Sequence, residues 1–428
     1  MKEMILHTSN ISDLDIHGYA IGEVKGKPAH IWSALPGEEV EAQIIKKKKG
    51  AYECIARNII KPSPDRIEPL EDHYLSCSPW SVMTFEAENR YKKELALNLL
   101  KSAGVIGRDV DAEIDFDNRI AGYRNKMEYS FVKDENGKTC FAFFQRSGRK
   151  RIPIDVCSLA DGGINFEATK IINWIRDNQI PEESLKSLIL RSDGAGHVIA
   201  GLFVKDEIRH DEPDLLDEQL TGFHIYLSSS QCPASIVSEV LYSSGADSMT
   251  SVVRGEKLSF GLNSFFQVNI PMFERTMHDI APFIEKGSPV VDYFCGTGSI
   301  SLSASDKSQP LQLVDLSTES IEYARKNIAA NGFTQAVATN LPAEKAVEHI
   351  TSDSIVIFDP PRAGLHPDII ERILLVKPKR IVYLSCNVAT QARDIALIKS
   401  AYDIKLLKFY NYFPRTPHIE GLCVMETI

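Results

Sequence analysis

The sequence predicts a multidomain protein in which a small β-barrel precedes a central α+β domain and a C-terminal α/β domain of the doubly wound type. Short strand-like runs separated by glycine, proline or lysine fill residues 1–62. A segment with three prolines, residues 61–69, follows and predicts a linker. From residue 256 onward, buried strand-like runs alternate with helix-like stretches, as in a parallel sheet covered by helices. We therefore place the domains at residues 1–62, 63–255 and 256–428.

Composition and charge restrict the class of protein. Of 428 residues, 43% are hydrophobic and 25% are charged, as in ordinary globular domains. No apolar run approaches the roughly 18 residues that cross a membrane, and the N-terminus lacks the apolar core of a signal peptide. We expect a cytoplasmic protein that is not associated with membranes, with its eight cysteines reduced. The net charge of −10 disfavours a general nucleic-acid coat.

Glycines, a turn and a lysine cluster mark the N-terminal segment. Gly18 and Gly22 lie in the first strand-like runs, ALPGE at residues 34–38 predicts a turn, and Lys46–Lys49 fall on the next turn. A lysine run at a hairpin tip is commonly just a solvated surface. Together these features resemble a TRAM domain, an OB-like barrel that delivers RNA to modifying enzymes.

Residues 119–151 form a local basic patch, with nine lysines and arginines against three acids. Two strand-like runs around DENGK predict a hairpin in which aromatic and cationic residues interleave. The pattern fits an ordinary sheet with one apolar and one charged face. It also fits a platform for single-stranded RNA, with rings for the bases and cations for the phosphates. The predicted RNA contacts are Arg124, Lys126, Arg146, Arg149, Lys150 and Arg151.

A glycine turn between a strand and a helix predicts a nucleotide site in PVVDYFCGTGSIS, residues 289–301. Gly296 and Gly298 let backbone N–H groups approach a ligand at a helix N-terminus, whereas Ser301 in place of a third glycine disfavours NAD. The next strand ends at Asp315, which can accept ribose hydroxyls, and the following one ends near Asn340, which could contact adenine. This order, with a further strand before Asp359, predicts S-adenosylmethionine (SAM) binding.

Two apolar runs end in reactive residues. The turn Asp359–Arg362, with sequence DPPR, follows one run, and Cys386 follows the next, IVYLS. Both runs read as buried parallel strands joined by a helix, so Asp359 and Cys386 are expected at neighbouring strand ends. A lone cysteine at such a position is more often structural than catalytic. Cys295 in the glycine turn is expected to pack beneath the cofactor.

Methylation of a pyrimidine at C5 needs one thiol and one base. C5 is a poor nucleophile until a thiolate adds at C6, and a base must afterwards remove the C5 proton. Cys386 supplies the thiol, and Glu420, with His418 adjacent, supplies a base. Because a free cysteine is only a few per cent thiolate at neutral pH, we expect the site to favour the anion.

The motifs SFFQVN, DYFCGTGSIS, FDPPRAGL, YLSCN and HIEGLCVM occur in an order that resembles the RNA uracil-5-methyltransferases. The resemblance covers nearly the whole chain and implies a seven-stranded SAM-dependent methyltransferase domain. It also implies that Cys386 is the nucleophile and Glu420 the base. Relatives often have Asn at the position of Ser299 and Glu at that of Asp315. The expected cofactor contacts are Gln267, Phe294, Gly296, Gly298, Ser299, Asp315, Asn340 and Asp359.

Members of this family often bind a 4Fe–4S cluster through three cysteines near this chain's residues 71–80 and a fourth further on. Cys77 and Cys157 match two of these positions, whereas Glu71 and Trp80 stand at the others. Two thiols do not hold a cubane in the usual way. We therefore predict no iron–sulfur cluster and no metal, and we interpret both cysteines as ordinary buried residues.

The predicted function is formation of 5-methyluridine in RNA by a SAM-dependent monomer. The barrel and the resemblance favour 23S ribosomal RNA as substrate. A tRNA uracil-5-methyltransferase is one alternative. A cytosine-5 RNA methyltransferase is another, although such enzymes usually show Pro-Cys where this chain has Ser385 and Cys386. A third is a non-catalytic RNA-binding or ribosome-assembly factor.

Overall fold

The computed structural model describes residues 5–146, 148, 150–229, 231–232 and 234–428, and its first unit is a six-stranded sheet. The strands are β1 (Leu6–Asn10), β2 (Asp13–Leu14), β3 (Ala20–Val24), β4 (Lys27–Trp32), β5 (Glu39–Lys48) and β6 (Ala51–Lys61). Their order is β1-β5-β6-β4-β3-β2. Lys46, Lys47 and Lys48, expected on a turn, continue β5, and the turn follows at Lys49 and Gly50.

Two helices and a short strand come next: α1 (Tyr74–Cys77), α2 (Phe85–Ser102) and β7 (Glu113–Asp115). Thr84 caps α2, because its side-chain oxygen accepts a hydrogen bond from the Ala87 N–H. Trp80, just before α2, is buried in the core of the N-terminal sheet, so this segment closes that core.

The central sheet has seven strands and is covered by one helix. The elements are β8 (Lys126–Lys133), β9 (Thr139–Phe144), β10 (Arg151–Ile154), α3 (Gly162–Asp177), β11 (Leu185–Ser192), β12 (Val198–Val204), β13 (Leu220–Leu227) and β14 (Glu239–Gly245). The strand order is β10-β9-β8-β11-β12-β13-β14.

Most aromatic rings of β8 and β9 belong to the core of the central sheet. Tyr129, Phe131 and Phe141 are buried, whereas Phe144 is 59% exposed. The three buried rings lie on the sheet face that packs against α3, because alternate strand residues share a face. The predicted RNA platform is therefore wrong for these rings, and an amphipathic sheet describes them.

The C-terminal part begins with a hairpin and continues as alternating strands and helices. Its elements are β15 (Ser248–Val253), β16 (Glu256–Gly261), α4 (Ile270–Ile280), β17 (Val290–Tyr293), α5 (Ser299–Ala304), β18 (Leu311–Asp315), α6 (Thr318–Ala330), β19 (Ala336–Asn340), β20 (Ile355–Phe358), α7 (Pro367–Val376), β21 (Arg380–Ser385), α8 (Val388–Ile398), β22 (Tyr402–Tyr410) and β23 (Glu420–Thr427). Within the described ranges, no helix has both the length and the apolar character needed to cross a bilayer.

The C-terminal sheet has eight strands where seven are expected, in the order β19-β18-β17-β20-β21-β23-β22-β7. The first five strands are parallel, and β23 runs antiparallel to both of its neighbours. The eighth strand, β7, pairs with β22 and comes from the segment assigned to the central domain. An edge strand has free backbone groups that a short passing segment can satisfy.

The packing of residues 85–115 also differs from the predicted domain boundaries. Helix α2 packs against α8, and Ala96, Leu97 and Leu100 join the core on one face of the C-terminal sheet. The predicted boundary at residue 256 falls at the turn of the β15–β16 hairpin, whose second strand, β16, packs against α6.

Candidate active site

A tight turn between β17 and α5 forms one wall of a cleft. Phe294, Gly296 and Gly298 have positive φ angles of 59°, 54° and 81°. This conformation is ordinary for glycine and strained for phenylalanine. A Cβ on Gly298 would lie 2.8 Å from the Leu313 side chain, whereas a Cβ on Gly296 would meet open space. Gly298 thus permits close packing, and Gly296 leaves room for a ligand.

Asp315, at the end of β18, is fixed beside this turn. Its carboxylate accepts hydrogen bonds from the N–H groups of Gly296, at 2.9 Å, and Ser317, at 2.7 Å. A carboxylate can accept about four hydrogen bonds, so acceptor positions remain for ligand hydroxyls.

Asn340 braces the same region from outside the cleft. Its amide nitrogen donates to the carbonyl oxygens of Asp315, at 3.0 Å, and Leu316, at 2.8 Å. Its side-chain oxygen accepts from the Thr318 hydroxyl at 3.1 Å. Both amide hydrogens are thereby used, and Asn340 does not line the cleft. Asn340 therefore braces the end of β18, and its predicted contact with adenine stays a prediction.

Three strands bring reactive side chains to one edge of the C-terminal sheet. Asp359 follows β20, Cys386 follows β21, and Glu420 begins β23. Ser385 is paired with Gly421 across β21 and β23, so the next step of this antiparallel register sets Cys386 opposite Glu420. The sheet therefore brings together a thiol and a carboxyl that are 34 positions apart in the chain.

Burial raises the pKa of both carboxyls in the cleft. The pKa of Asp359 is raised to about 7 by burial and by the charge of Asp292. The pKa of Glu420 is raised well above its ordinary value by burial and by Asp359, and Arg362 opposes this shift. Gln267 donates a hydrogen bond to Asp359 at 3.4 Å. Both acids therefore hold protons more firmly than exposed acids do.

Cys386 is a thiol rather than a thiolate in the ligand-free protein. Burial, followed by the charges of Glu420 and Asp359, raises its pKa to about 11. The guanidinium of Arg362 acts in the opposite direction and lowers this pKa. The expected preference for the anion is therefore absent in the empty cleft, because burial and the charges of two acids outweigh one cation there.

The cleft has a volume of about 840 Å³ and collects most of the predicted residues. Seven of the ten predicted catalytic and cofactor residues line it: Gln267, Phe294, Gly296, Asp315, Asp359, Cys386 and Glu420. Gly298, Ser299 and Asn340 do not. Gly298 instead caps α5, and Ser299 is the first residue of that helix.

The cleft also contains residues that were not among the predicted catalytic and cofactor residues. Arg362 and His418 line it, as do Phe265, Glu319 and Glu344. Burial and the charge of Arg362 lower the pKa of His418 to about 4, which keeps its imidazole neutral. The position of Arg362 directly after the two prolines was a usable signal. Phe265 lies in the motif SFFQVN, but only Gln267 of this motif was predicted to contact the cofactor.

A second, polar pocket adjoins the cleft and holds three of the predicted RNA contacts. Arg124, Lys126 and Arg146 line this basic pocket, and Arg124 lines the cleft as well. Of the other three predicted RNA contacts, two lie away from this pocket and one is not described by the structure. Arg151 is paired with Glu182 at 2.8 Å, Lys150 is exposed, and Arg149 lies outside the described residues.

Comparison with known proteins identifies the family. A family model described as tRNA (uracil-5-)-methyltransferase matches residues 106–427, three quarters of the chain. The chain belongs to this family. Relatives of the same length are known: an uncharacterised RNA methyltransferase of Caldanaerobacter subterraneus is 28% identical over 98% of both chains. Another, from Bacteroides thetaiotaomicron, is 27% identical over 96% of this chain and 99% of its own.

A solved structure has the same fold over the whole chain. The tRNA (uracil-54, C5)-methyltransferase of Pyrococcus abyssi, in complex with S-adenosyl-L-homocysteine, superposes with a TM-score of 0.81 and 22% identity. The match covers 98% of this chain and 100% of that one. The predicted resemblance to uracil-5-methyltransferases is confirmed, and SAM is the methyl donor of this family.

The cleft residues fit SAM. Open space above Gly296 admits the ligand, and the Asp315 carboxylate at the end of β18 suits a ribose. Phe294, Leu316 and Pro342 line the same cleft and would offer apolar contacts to an adenine, and the carboxyl of Asp359 would suit a sulfonium cation.

Proposed function

We propose that this chain methylates uracil at C5 in RNA through a covalent adduct between Cys386 and C6 of the base. The pairing of β21 with β23, which sets Cys386 opposite Glu420 in the SAM cleft, is the observation that supports this most strongly. Bound SAM supplies an electrophilic methyl group.

The protein's own residues perform three tasks in this scheme. Arg362 favours loss of the Cys386 proton to solvent water, and the thiolate adds to C6, which makes C5 nucleophilic. C5 then forms a bond to the methyl carbon, and S-adenosylhomocysteine is left. Ionised Glu420 removes the C5 proton, the C5–C6 double bond forms again, and Cys386 leaves as thiolate.

A buried base suits the last step. Because burial raises the pKa of Glu420, its carboxylate is a stronger base than an exposed one once it is ionised. His418 lines the same cleft, but its pKa is lowered to about 4, so its neutral imidazole is a weaker base than the Glu420 carboxylate.

We propose 23S ribosomal RNA as the substrate, supported by the TRAM-like features of the N-terminal segment and by the family resemblance. Transfer RNA is the second candidate, because the Pyrococcus abyssi protein, whose name states a tRNA substrate, matches this chain over its full length. The side chains of Arg124, Lys126 and Arg146 would hold RNA phosphates beside the cleft.

RNA that contains 5-fluorouridine tests the mechanism and the substrate together. Fluorine at C5 cannot leave as a proton, so the enzyme with SAM should remain attached to 23S rRNA fragments during denaturing electrophoresis. Cys386→Ala should form no adduct and still bind SAM in calorimetry. An adduct formed with tRNA alone would replace the rRNA assignment, and an adduct that persists in Cys386→Ala would refute the nucleophile.

Glu420→Gln provides a separate test of the base on ordinary RNA. Without a carboxylate the C5 proton stays, so the methylated adduct should accumulate during a single turnover. Product release should fall by about 10²–10⁴-fold, the usual contribution of a general base. Full turnover by Glu420→Gln would assign proton removal to another group.

A further inference from the structure

Four side chains with metal-binding atoms meet outside the active-site cleft. Glu71 and His73 precede α1, Cys77 ends it, and Cys157 lies in the segment before α3. One ligand atom from each, a carboxylate oxygen, an imidazole nitrogen and two sulfurs, all lie within 4.8 Å of one another. Cys157 is buried and the other three are half-buried.

These residues do not fit the 4Fe–4S cluster that family resemblance suggests. Only two of the four are thiols, and the residue aligned with a third cluster cysteine, Trp80, points elsewhere. Its indole nitrogen donates to the Gly18 carbonyl at 3.2 Å, within the core of the N-terminal sheet. In a cubane each ligand binds a different iron, so the cluster separates the ligands. The four atoms here are close enough to surround one ion.

The geometry suits a single Zn²⁺ ion. Zinc bonds of 2.0–2.3 Å in a tetrahedron place the ligand atoms about 3.3–3.8 Å apart. Because the four atoms lie within 4.8 Å of one another, the group needs to contract by at most about 1.5 Å. The mixture of two thiols, one imidazole and one carboxylate is within the usual donor set of zinc. It lacks the all-oxygen character that calcium and magnesium require.

His73 is already turned into this group. Its Nε2 atom lies 3.4 Å from Glu71 Oε2, yet it is buried and makes no hydrogen bond with any residue that the structure describes. A buried ring nitrogen without a hydrogen bond is costly, and coordination of a cation would satisfy it.

Neighbouring groups hold two of the ligands in position. The backbone N–H and the hydroxyl of Ser158 donate to the two Glu71 oxygens, at 2.6 and 2.8 Å. The Asn165 side chain accepts from the Cys157 N–H at 3.3 Å and donates to the Cys157 carbonyl at 2.9 Å. Such contacts fix ligand orientation in established metal sites.

We propose that Glu71, His73, Cys77 and Cys157 bind one structural Zn²⁺ ion. All four ligand positions come from the protein, as in structural rather than catalytic zinc sites. Cys77 and Cys157 line the basic pocket with Arg146, whose guanidinium donates to the Leu75 carbonyl at 2.6 Å. The ion would thus tie α1 to the central sheet at the wall of the basic pocket. The inference does not depend on the reaction.

Metal analysis of the full-length protein tests the site. Protein purified without chelators should contain one zinc per chain, as measured by inductively coupled plasma mass spectrometry. Cys77→Ser and His73→Asn should each lower this content at least fivefold, whereas Cys140→Ser, a buried cysteine of β9 outside the group, should keep it. Co²⁺ added to metal-free wild-type protein should give the thiolate-to-cobalt absorption of a tetrahedral site.

Other results would overturn the proposal. Iron with acid-labile sulfide would indicate a cluster, and a Cys77–Cys157 disulfide in the intact mass would indicate a covalent bond in place of an ion. If the wild-type protein has both thiols free and binds neither zinc nor cobalt, Cys77 and Cys157 are ordinary buried cysteines and the metal site is refuted. The wild-type measurements decide even if a variant fails to fold. Zinc retained in Cys77→Ser would place the ion elsewhere.

Discussion

Single buried carboxyls determine the electrostatic character of the cleft. Asp359 and Glu420 line the cleft with the thiol, Asp292 acts on Asp359, and burial raises the pKa of all three carboxyls. In the empty protein, burial and the charges of Glu420 and Asp359 make Cys386 a weaker acid than a free cysteine. The same charges attract a sulfonium cation, so the protein retains acids that do not favour its own folding.

Asp359→Asn should stabilise the protein above neutral pH. The pKa of Asp359 is about 7 in the folded protein against an ordinary value of 3.8, so the folded state binds the proton more tightly than the unfolded chain. Stability is therefore lost as pH rises from about 4 to about 7. In urea unfolding at pH 8 the variant should gain about 2–4 kcal/mol, with a smaller difference at pH 4.

The control for this variant is SAM affinity, which should fall because the proposed cofactor contact of Asp359 is removed. A variant that is less stable than wild type at pH 8 would mean that the Gln267 hydrogen bond outweighs the cost of burying the charge.

At the scale of elements, α2 positions the loop that leads to Glu420. Lys92 is completely buried, and its ammonium donates to Glu88 at 2.8 Å, to the Asn411 side chain at 2.6 Å and to the Phe413 carbonyl at 3.0 Å. Glu88 in turn accepts from the Arg415 N–H at 3.0 Å. A helix from the N-terminal half thus fixes the segment between β22 and β23.

Lys92→Met should destabilise the protein by about 3–5 kcal/mol, because it leaves the buried Glu88 with only the more distant guanidinium of Arg415, at 3.8 Å, as a cation. Urea unfolding of the purified variant measures this loss. The double variant Lys92→Met with Glu88→Gln should recover part of it. Equal stability of the single variant and wild type would show that the pair contributes no net stabilisation.

Sequence patterns predicted local elements well and distant contacts poorly. The glycine turn, the DPPR turn and the strand before Cys386 each carry a short signal of their own, and the structure has all three. Strand β7 has three residues and no periodicity, so nothing local indicates that it pairs with β22, almost 300 positions away. Alternating aromatics in β8 indicated two faces but not which face meets α3.

Site residues divide in the same way. Cys386 and Glu420 were selected by chemistry and order, and their register confirms that they are neighbours. Asn340 was placed correctly at a strand end, but only the three-dimensional hydrogen bonds show that its amide is used internally. No local pattern marks His73 as a metal ligand, because Cys157, which joins it in the group of four ligand atoms, lies 84 positions later in the chain.

At the scale of the whole molecule, an acidic chain concentrates cations beside its cleft. Lys126 in the basic pocket has its pKa lowered to about 8 by burial and by Arg191. A phosphate bound there would raise that pKa again, so RNA binding takes up a proton. RNA affinity should therefore fall as pH rises through 8.

Lys126→Gln should remove this pH dependence and weaken RNA binding. It should also reduce the slope of log K against the logarithm of the salt concentration by about 1. Binding of a labelled 23S rRNA fragment at pH 6.5 and pH 9 measures both effects. The exposed Lys286 provides the control, and Lys286→Gln should behave as wild type. If Lys126→Gln keeps the full pH effect, another group takes up the proton.

Strand β23 lies between β21 and β22, although it is the last of the three to be synthesised. A ribosome therefore makes the Cys386 thiol and the glycine turn before it makes Glu420, the proposed base. Until β23 leaves the exit tunnel, β21 and β22 cannot complete their hydrogen bonding through it. A chain that still lacks β23 therefore lacks the proposed base, and under the proposed mechanism it should not complete methylation of the RNA around it.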